Sequence, residues 1–376
     1  MGSHARPNRI HRTGVRIATA ALVGVALPLT AGGLAEAATP GATHSADDNG
    51  AQGSEATTPA GQDQHVQQQS RTARTAQHAV KVKTAAQDAQ VAQDAQDARV
   101  AQVAQVAQVA KDQAGPQISA DHAFLLDARD GSQEREMWAG AKADESVPMA
   151  STTKIMTALV VLKHPEWLNH RITVKQAYRD YVQKAGGSTA DLQTGDTLTV
   201  EQLMHAMLVP SGDDAAMALA DNFGSGATQD ARIADFVSQM NAEAQQLGLT
   251  GTHFDTFDGI SHGNNHSTAR DLAKLGQRAM LQPVFADIVN EKQFKTEAPA
   301  ANGHTRYYTW NTTNELLGTY DGALGVKTGS GPEDGYCVVF AAKRDNRTLV
   351  GAILREDTDK ARFDDAAKML DWGFAH

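Results

Sequence analysis

Ser151 and Lys154 lie three residues apart at the start of an apolar run, a spacing that can place a nucleophile beside its base. Residues 155–162 are apolar except for Thr157, which predicts a buried helix with Ser151 and Lys154 at its exposed amino-terminal tip. Side chains three residues apart share a helix face, so a neutral lysine there can take the proton of the serine hydroxyl. The positive field of a helix N-terminus also favours an oxyanion near Ser151. The pair therefore indicates nucleophilic catalysis by a serine.

Two more polar motifs follow in an order that strengthens this interpretation. A lone Ser-x-x-Lys is a weak signal, because a capping serine followed by a solvated lysine gives the same spacing. Downstream, the chain carries Pro210-Ser211-Gly212-Asp213 and then Gly325-Val326-Lys327-Thr328-Gly329. Ser-x-x-Lys, a Ser-x-Asn-like triplet and Lys-Thr-Gly, in this order, form the motif set of penicillin-binding proteins and class A β-lactamases.

The residues around these motifs carry a closer resemblance. They are Ala150-Ser151-Thr152-Thr153-Lys154-Ile155-Met156-Thr157-Ala158, Leu208-Val209-Pro210-Ser211-Gly212, His266-Ser267-Thr268-Ala269-Arg270-Asp271, the Lys-Thr-Gly segment with Gly335-Tyr336-Cys337, and Leu370-Asp371-Trp372-Gly373-Phe374. Over about residues 118–376 the chain resembles the low-molecular-mass penicillin-binding proteins, the serine D-alanyl-D-alanine carboxypeptidase family. The resemblance implies an α/β (α+β) fold of the penicillin-recognising serine β-lactamase/DD-peptidase type, an antiparallel sheet flanked by helices with an all-helical subdomain.

The resemblance also implies the catalytic roles. Ser151 attacks the carbonyl between the two D-alanines of a peptidoglycan stem peptide, Lys154 acts as its base, and Ser211 relays the proton toward the leaving amine. The backbone N–H groups of Ser151 and Ser330 form the oxyanion hole. The expected reaction is removal of the terminal D-alanine from stem pentapeptides through an acyl-enzyme, in cell wall remodelling, with covalent inhibition by β-lactams.

Substrate binding is implied for six further positions: Asp213, Lys327, Thr328, Gly329, Ser330 and Arg362. Lys327 sets a positive potential, and Thr328 binds the terminal carboxylate of the substrate. Gly329 keeps its strand bare, so that the substrate can lie along it as an added strand. Arg362 resembles the second carboxylate anchor of the family.

Asp213 is a departure from the family's Ser-Gly-Asn triplet. An asparagine amide can both donate and accept hydrogen bonds, whereas an ionised aspartate only accepts them. Its negative charge beside Lys154 is expected to favour the ammonium form and so to weaken the base at neutral pH. The alternative is that Asp213 is protonated or turned away, in which case the substitution has no effect.

Three rival functions remain open. A β-lactamase uses the same acylation, but class A enzymes deacylate with a positioned glutamate, and no Glu-x-x-x-Asn-type segment lies between Ser211 and Lys327. A DD-transpeptidase passes the same acyl group to an amine instead of water. The third is a catalytically weak wall-binding protein, in which Asp213 would have impaired catalysis at the site.

Composition limits the cofactors and partners. The formal net charge of -10 argues against a nucleic-acid partner. The single cysteine, Cys337, lies in an apolar run and predicts a buried thiol. One loop holds His253, His262 and His266, but its segment Gly263-Asn264-Asn265 is not helical and no carboxylate lies at a ligand-like helical spacing, so we predict neither a metal site nor a cofactor. Protein partners are not identified by the sequence.

The N-terminus predicts export. A basic region holding Arg6, Arg9, Arg12 and Arg16 precedes a mostly apolar segment, residues 17–34, and an A-x-A cleavage site at Ala35-Glu36-Ala37. Residues 1–37 are therefore interpreted as a signal peptide, with an uncleaved membrane anchor as the alternative. The chain ends soon after Phe374, without the C-terminal β-domain and membrane helix of many relatives, which favours an extracytoplasmic protein that is secreted or associated with the cell wall.

The domain boundaries follow from a change in composition. Residues 38–116 are rich in Ala, Gln, Thr and Asp and contain no aromatic residue, so we predict a disordered or transiently helical spacer. Its three-residue repeat drifts around a helix and forms no lasting apolar stripe. Residues 117–376 form the predicted catalytic domain.

The periodicity and turn residues of this domain predict its elements. Strands are predicted at 122–128, 136–139, 335–343 and 348–355, with a turn at Asp130-Gly131, and helices at 199–208, 214–222, 231–247, 268–280 and 361–372. Strands at both ends around a helical middle predict a sheet assembled from both ends of the domain.

Overall fold

The computed structural model describes residues 63–113, 115–128 and 134–376. The strands are β1 His122–Asp127, β2 Arg135–Ala139, β3 Val147–Pro148, β4 Arg171–Thr173, β5 Thr197–Thr199, β6 His266–Ser267, β7 Gln293–Pro299, β8 Thr305–Asn311, β9 Ala323–Gly331, β10 Gly335–Arg344 and β11 Arg347–Glu356. The predicted signal peptide, residues 1–37, and the predicted turn Asp130-Gly131 lie outside the described residues.

The α-helices are α1 Asp63–Gln113, α2 Lys154–Leu162, α3 Gln176–Ala185, α4 Val200–Leu208, α5 Asp213–Phe223, α6 Gln229–Gln246, α7 Ala269–Met280, α8 Pro283–Val289, α9 Leu316–Thr319 and α10 Asp359–Ala375. Two 3-10 turns, Ala150–Thr153 and Pro165–Trp167, complete the described helical structure. The helices and strands predicted from periodicity are confirmed, with ends that differ by a few residues.

A five-stranded antiparallel sheet in the order β2-β1-β11-β10-β9 joins the two ends of the catalytic domain. Strand β1 lies between two neighbouring strands and is buried along its whole length, because both faces of the sheet are covered. Among the described residues, strand β9 has a neighbouring strand on one side only, so its other edge is unpaired. The predicted antiparallel sheet, and with it the α+β class, is confirmed.

Helices cover both faces of this sheet. Helix α10 packs on one face, where Leu125, Phe340 and Ile353 meet Phe363 and Met369. Helix α7 packs on the opposite face and also contacts α2. Helix α2 in turn contacts α4, α5 and α6, so it lies at the centre of the helical part of the domain. This central position is what its all-round apolar sequence predicts.

The polar signals at helix ends are also present as predicted. Thr199 accepts a hydrogen bond from the Gln202 N–H, and the Gln202 side chain accepts one from the Thr199 N–H, which together form a capping box at α4. Thr228, Thr268 and Thr358 cap α6, α7 and α10 with single hydrogen bonds of the same kind. These caps fix where the helices that surround the sheet begin.

Helix α1 runs for 51 residues, and its side chains from 68 to 106 are exposed throughout. This even exposure agrees with a three-residue repeat, which brings alanine and valine to every side of a helix in turn. Among the described residues, no helix is both long enough and apolar enough to cross a bilayer.

Candidate active site

The nucleophile Ser151 lies in the 3-10 turn Ala150–Thr153, which leads directly into α2. We expected Ser151 at the first turn of an α-helix, but a tighter turn precedes the helix and Ser151 makes no capping bond. The Ala150 N–H donates to Asp334 Oδ1 at 3.0 Å, which holds the turn against the loop that follows β9. Ser151 faces a cleft of about 430 Å³ that Asp213 and Ser330 also line.

Lys154 is fully buried, and the expectation of an exposed helix tip is wrong for this residue. Its ammonium donates to Ser151 Oγ at 2.7 Å and to Asp258 O at 2.9 Å, and it forms an ion pair with Asp213 Oδ1 at 2.5 Å. The burial arises because the loop carrying Asp258 and the start of α5 close over the base.

Ser211 lies two residues before α5, and Asp213, the first residue of α5, contacts Lys154. Ser211 has φ +69°, a left-handed conformation that is rare outside glycine, and its buried Oγ has no hydrogen-bond partner among the described residues. Asp213 begins α5, and its N–H donates to Ser188 O at 2.9 Å. Strain and an unpartnered hydroxyl at one position are typical of a functional site.

The carboxyl group of Asp213 is buried beside charges of both signs. Burial raises its pKa to about 6, with Lys154 opposing the rise and Asp258 adding to it. Above this pH the group is ionised and forms an ion pair with Lys154. Asp213 therefore faces Lys154, and the possibility that it is turned away from the base does not hold.

Lys327 and Thr328 lie on the edge strand β9 as the resemblance implies. Lys327 is buried, and its ammonium donates to Thr328 O at 2.9 Å. Burial and the positive charge of Lys154 hold the pKa of Lys327 well below its usual range, with Asp213 opposing the shift and Arg362 adding to it. Thr328 Oγ1 lies 2.6 Å from Thr313 Oγ1.

Gly329 is required for a different reason from the one expected. A Cβ at this position would come within 2.8 Å of Ser151 N and 2.9 Å of the Ala150 Cβ. The space that glycine leaves is therefore filled by the backbone of the nucleophile turn, while the expected binding of substrate along this strand stays a prediction. The next residue, Ser330, is exposed at the cleft.

Arg362 approaches β9 from α10. Its Nη1 donates to Gly329 O at 2.8 Å and to Cys337 O at 3.1 Å, and Nη2 forms an ion pair with Asp359. Burial lowers its pKa from the usual value. These contacts show Arg362 bound to the backbone of the strand that carries Gly329, while its role as a carboxylate anchor stays a prediction.

Two residues that the sequence analysis missed complete the surroundings of Lys154. Asp258 supplies one of its three acceptors through the backbone carbonyl. Tyr181, on α3, donates its hydroxyl hydrogen to Asp258 Oδ2 at 2.6 Å. Neither belongs to a motif, and Lys154 and Asp258 are 104 positions apart in the chain. No sequence signal short of the fold brings them together.

The histidine-containing loop is organised by a carboxylate. Asp255 Oδ2 accepts from the N–H groups of His262 and Asn264 at 3.0 and 2.7 Å. His253 and His266 pair through their backbones, with ring centroids 5.9 Å apart. Within residues 63–113, 115–128 and 134–376, no group of three histidine, cysteine or acidic side chains has the arrangement of a metal site.

Comparison with known proteins agrees with this geometry. A family profile described as D-alanyl-D-alanine carboxypeptidase matches residues 107–358. The D-alanyl-D-alanine carboxypeptidase of Streptomyces sp. strain K15 is 46% identical over 235 residues, which cover 62% of this chain and 81% of the relative. The carboxypeptidase DacC of Escherichia coli is 33% identical over 267 residues, and the match covers 69% of this chain and 62% of that relative.

Solved structures give the same result. The crystal structure of the Streptomyces K15 DD-transpeptidase matches with a TM-score of 0.67 and 43% identity, covering 70% of this chain and all of that one. A penicillin-binding protein homologue from Mycobacterium tuberculosis matches with a TM-score of 0.60 and 32% identity, covering 70% of this chain and 94% of that one. The chain belongs to the serine-type D-alanyl-D-alanine carboxypeptidase family, hydrolases with the penicillin-binding DD-peptidase fold.

Proposed function

We propose that this protein removes the terminal D-alanine from peptidoglycan stem peptides ending in D-Ala-D-Ala, with Ser151 as the nucleophile. The observation that carries the proposal is the 2.7 Å contact between Lys154 Nζ and Ser151 Oγ at the wall of an open cleft. A buried amine in this position can accept the hydroxyl proton as the oxygen attacks the substrate carbonyl. Acylation of Ser151 releases D-alanine, and water then releases the shortened peptide.

The remaining motif residues support the same reaction. Ser211 Oγ is buried and unpartnered among the described residues, so it is free to pass a proton toward the leaving amine. The open edge of β9 can bind the peptide backbone as an added strand, and the N–H groups of Ser151 and Ser330 are the proposed oxyanion hole. Lys327 and Thr328 are the proposed partners of the substrate's terminal carboxylate.

Transfer to an amine is the second candidate, because the Streptomyces relative is named a carboxypeptidase while its crystal structure is titled a DD-transpeptidase. Both reactions pass through one acyl-enzyme and differ only in the acceptor. β-Lactams are the proposed inhibitors, since they acylate the serine of this site in the same manner.

The test is incubation with a D-Ala-D-Ala peptide, with and without an acceptor amine, followed by mass spectrometry. We expect loss of one D-alanine without the amine, and covalent labelling of Ser151 by a fluorescent penicillin. Ser151→Ala should abolish both, and Lys154→Ala should reduce both by several orders of magnitude, roughly the effect of losing a catalytic base. Labelling that survives Ser151→Ala would falsify the assignment, and an amine adduct as the main product would instead identify a transpeptidase.

We also propose that the protein acts outside the cytoplasm, either secreted or bound to the cell wall. The proposal rests on the basic and apolar order of residues 6–34 and on the A-x-A site before Ala38. N-terminal peptide mapping of protein recovered from the culture medium and the wall fraction should find chains that begin at Ala38. An intact N-terminus in the membrane fraction would show the uncleaved anchor.

A further inference from the structure

One turn contacts both members of the Ser151–Lys154 pair. The Asp258 carbonyl accepts a hydrogen bond from Lys154 at 2.9 Å, and Asp258 is fully buried. The next residue, Gly259, has φ +103°, and a Cβ there would come within 2.1 Å of Ala150 O and 2.8 Å of Ser151 N. Asp258 and Gly259 therefore touch the base and the backbone of the nucleophile at the same time.

The Asp258 carboxylate closes this turn on itself and ties it to α3. Its Oδ1 accepts from Thr256 Oγ1 at 2.7 Å and from the Ile260 N–H at 3.0 Å. Its Oδ2 accepts from the Tyr181 hydroxyl at 2.6 Å. The side chain thus links the residues on either side of the turn to a neighbouring helix, while its own carbonyl is left for Lys154.

A second contact anchors the turn to the helix of the base. Thr157, on α2, donates its hydroxyl hydrogen to Phe257 O at 2.5 Å. The ring of Phe257 lies 5.5 Å from that of Tyr181. The turn is thus held by Thr157 on one side and by Tyr181 on the other. Because Tyr181 binds the Asp258 carboxylate, the position of the Asp258 carbonyl depends on where this carboxylate is held.

We propose that Asp258 is a positioning residue for the Ser151–Lys154 pair, held in place by Tyr181. Its carboxylate fixes a carbonyl that orients the lysine, and so keeps the amine aimed at the serine hydroxyl. Displacement of a catalytic group by about 1 Å can lower a rate by about a hundredfold, so the fixed carbonyl matters for the rate of reaction. The inference rests on the proposed function of Ser151 and Lys154 and adds two residues outside the three motifs.

The experiment measures acylation of the full chain by a fluorescent penicillin, and separates the dissociation constant of the initial complex from the maximal acylation rate. Asp258→Ala removes the acceptors that hold the turn, and should lower the maximal rate about tenfold or more with the dissociation constant changed by less than about threefold. Asp258→Asn keeps an oxygen for Thr256 and Ile260, so it should restore most of the rate. Tyr181→Phe should fall between the two.

Tyr178→Phe is the matched control. Tyr178 lies three residues earlier on α3 and donates to Asp221 Oδ2, also at 2.6 Å, and its hydroxyl hydrogen bonds among the described residues are with Asp221 and Asn222. We expect Tyr178→Phe to lower the melting temperature at least as much as Tyr181→Phe, and to leave the maximal acylation rate of the folded protein within about twofold. A purely structural role for Tyr181 predicts the same result for both variants.

The outcomes separate this inference from the proposed function. If the native chain is acylated at Ser151 and folded Asp258→Ala reacts at the native rate, Asp258 does not position the base. Equal rates for Tyr181→Phe and Tyr178→Phe would remove Tyr181 from the proposal. If the native chain is not acylated at all, the proposed function fails and the inference falls with it.

Discussion

At Lys154, the amine proposed as the base is surrounded by three oxygen atoms. Two of its acceptors are neutral, and the third, Asp213, carries a full charge above a pH of about 6. In the family's triplet the third position is an amide, which interacts with an ammonium only through its dipole. The charged acceptor stabilises the ammonium form, and an ammonium cannot accept the proton of Ser151.

Replacing this one charge gives a prediction about pH. With native Asp213, acylation should be slow at neutral pH and should rise toward alkaline pH. Asp213→Asn should raise the neutral-pH rate and move the rising limb of the profile to lower pH, because the ammonium of Lys154 loses its ionised partner. The measurement is the second-order acylation constant of both proteins from about pH 6 to 10.

The effect of Asp213→Asn on the pH profile also involves the other charged groups that face Asp213. Asp258 raises the pKa of Asp213 and Lys154 lowers it, while the buried Lys327 lies close enough for Asp213 to raise its pKa in turn. Asp213→Asn therefore also removes a charge that favours the Lys327 ammonium, and substrate affinity should be measured with the rate. Profiles that overlay for the two proteins would mean that Asp213 is a neutral substitution.

At the scale of elements, the site depends on how closely β9 approaches the 3-10 turn. That approach is set at Gly329, where an added methyl group would overlap Ser151 N and the Ala150 Cβ. Gly329→Ala should therefore push the turn from the strand, reduce acylation at least about tenfold and destabilise the fold by about 1–3 kcal/mol, the typical effect of overpacking. Labelling rates and thermal melts of the purified variant measure both effects.

Gly318 supplies the control for this substitution. It lies in α9, and a Cβ there would meet no atom within 4 Å. Gly318→Ala should leave acylation unchanged and leave stability equal or slightly raised, because alanine reduces the freedom of the unfolded chain. Equal behaviour of the two variants would show that the β9 contact has no role in the site.

The local sequence predicted most helices and strands but not the burial of Lys154. The capping box at α4 and the strands β10 and β11 follow from turn residues and periodicity. The hairpin of β7 and β8 was missed, although Tyr308 and Trp310 alternate with exposed residues in the manner of a strand. The burial of Lys154 was mispredicted because contacts that cover it come from Asp213 and Asp258, which lie far along the chain.

The motif residues illustrate the same limit. Ser151, Lys154 and Asp213 were identified from spacing, and the structure brings them within hydrogen-bonding distance. Gly329 was identified for its lack of a side chain, and the structure adds a close backbone contact that is made only in the folded chain. Short motifs predict which residues meet, whereas the groups that orient them depend on the tertiary fold.

At the scale of the whole molecule, the N-terminal limit of the catalytic domain is marked by specific contacts. The Ser119 and Ala120 N–H groups donate to Asp365 Oδ2 at 2.6 and 3.1 Å, and Pro116 is buried. A Cβ on Gly115 would lie 2.1 Å from Trp138 Nε1, so packing extends to this residue. Residues 115–120 therefore pack on the catalytic domain, and the boundary at residue 117 stays a prediction from composition.

Truncation on either side of this limit tests how the chain is divided. A chain that begins at Gly115 should melt within about a degree of the full chain, because side chains 68–106 are exposed and offer no buried apolar area. A chain that begins at Asp121 should melt several degrees lower, because it leaves the buried Asp365 carboxylate without three of its hydrogen-bond donors. An unsatisfied buried acceptor costs about 1–3 kcal/mol, and each kcal/mol lowers the melting temperature by roughly 2–4 °C. Differential scanning calorimetry of the three chains makes the comparison.

A fall of more than a few degrees for the chain that begins at Gly115 would show that the preceding residues stabilise the catalytic domain. An unchanged melting temperature for the chain that begins at Asp121 would show that the Asp365 contacts do not stabilise it.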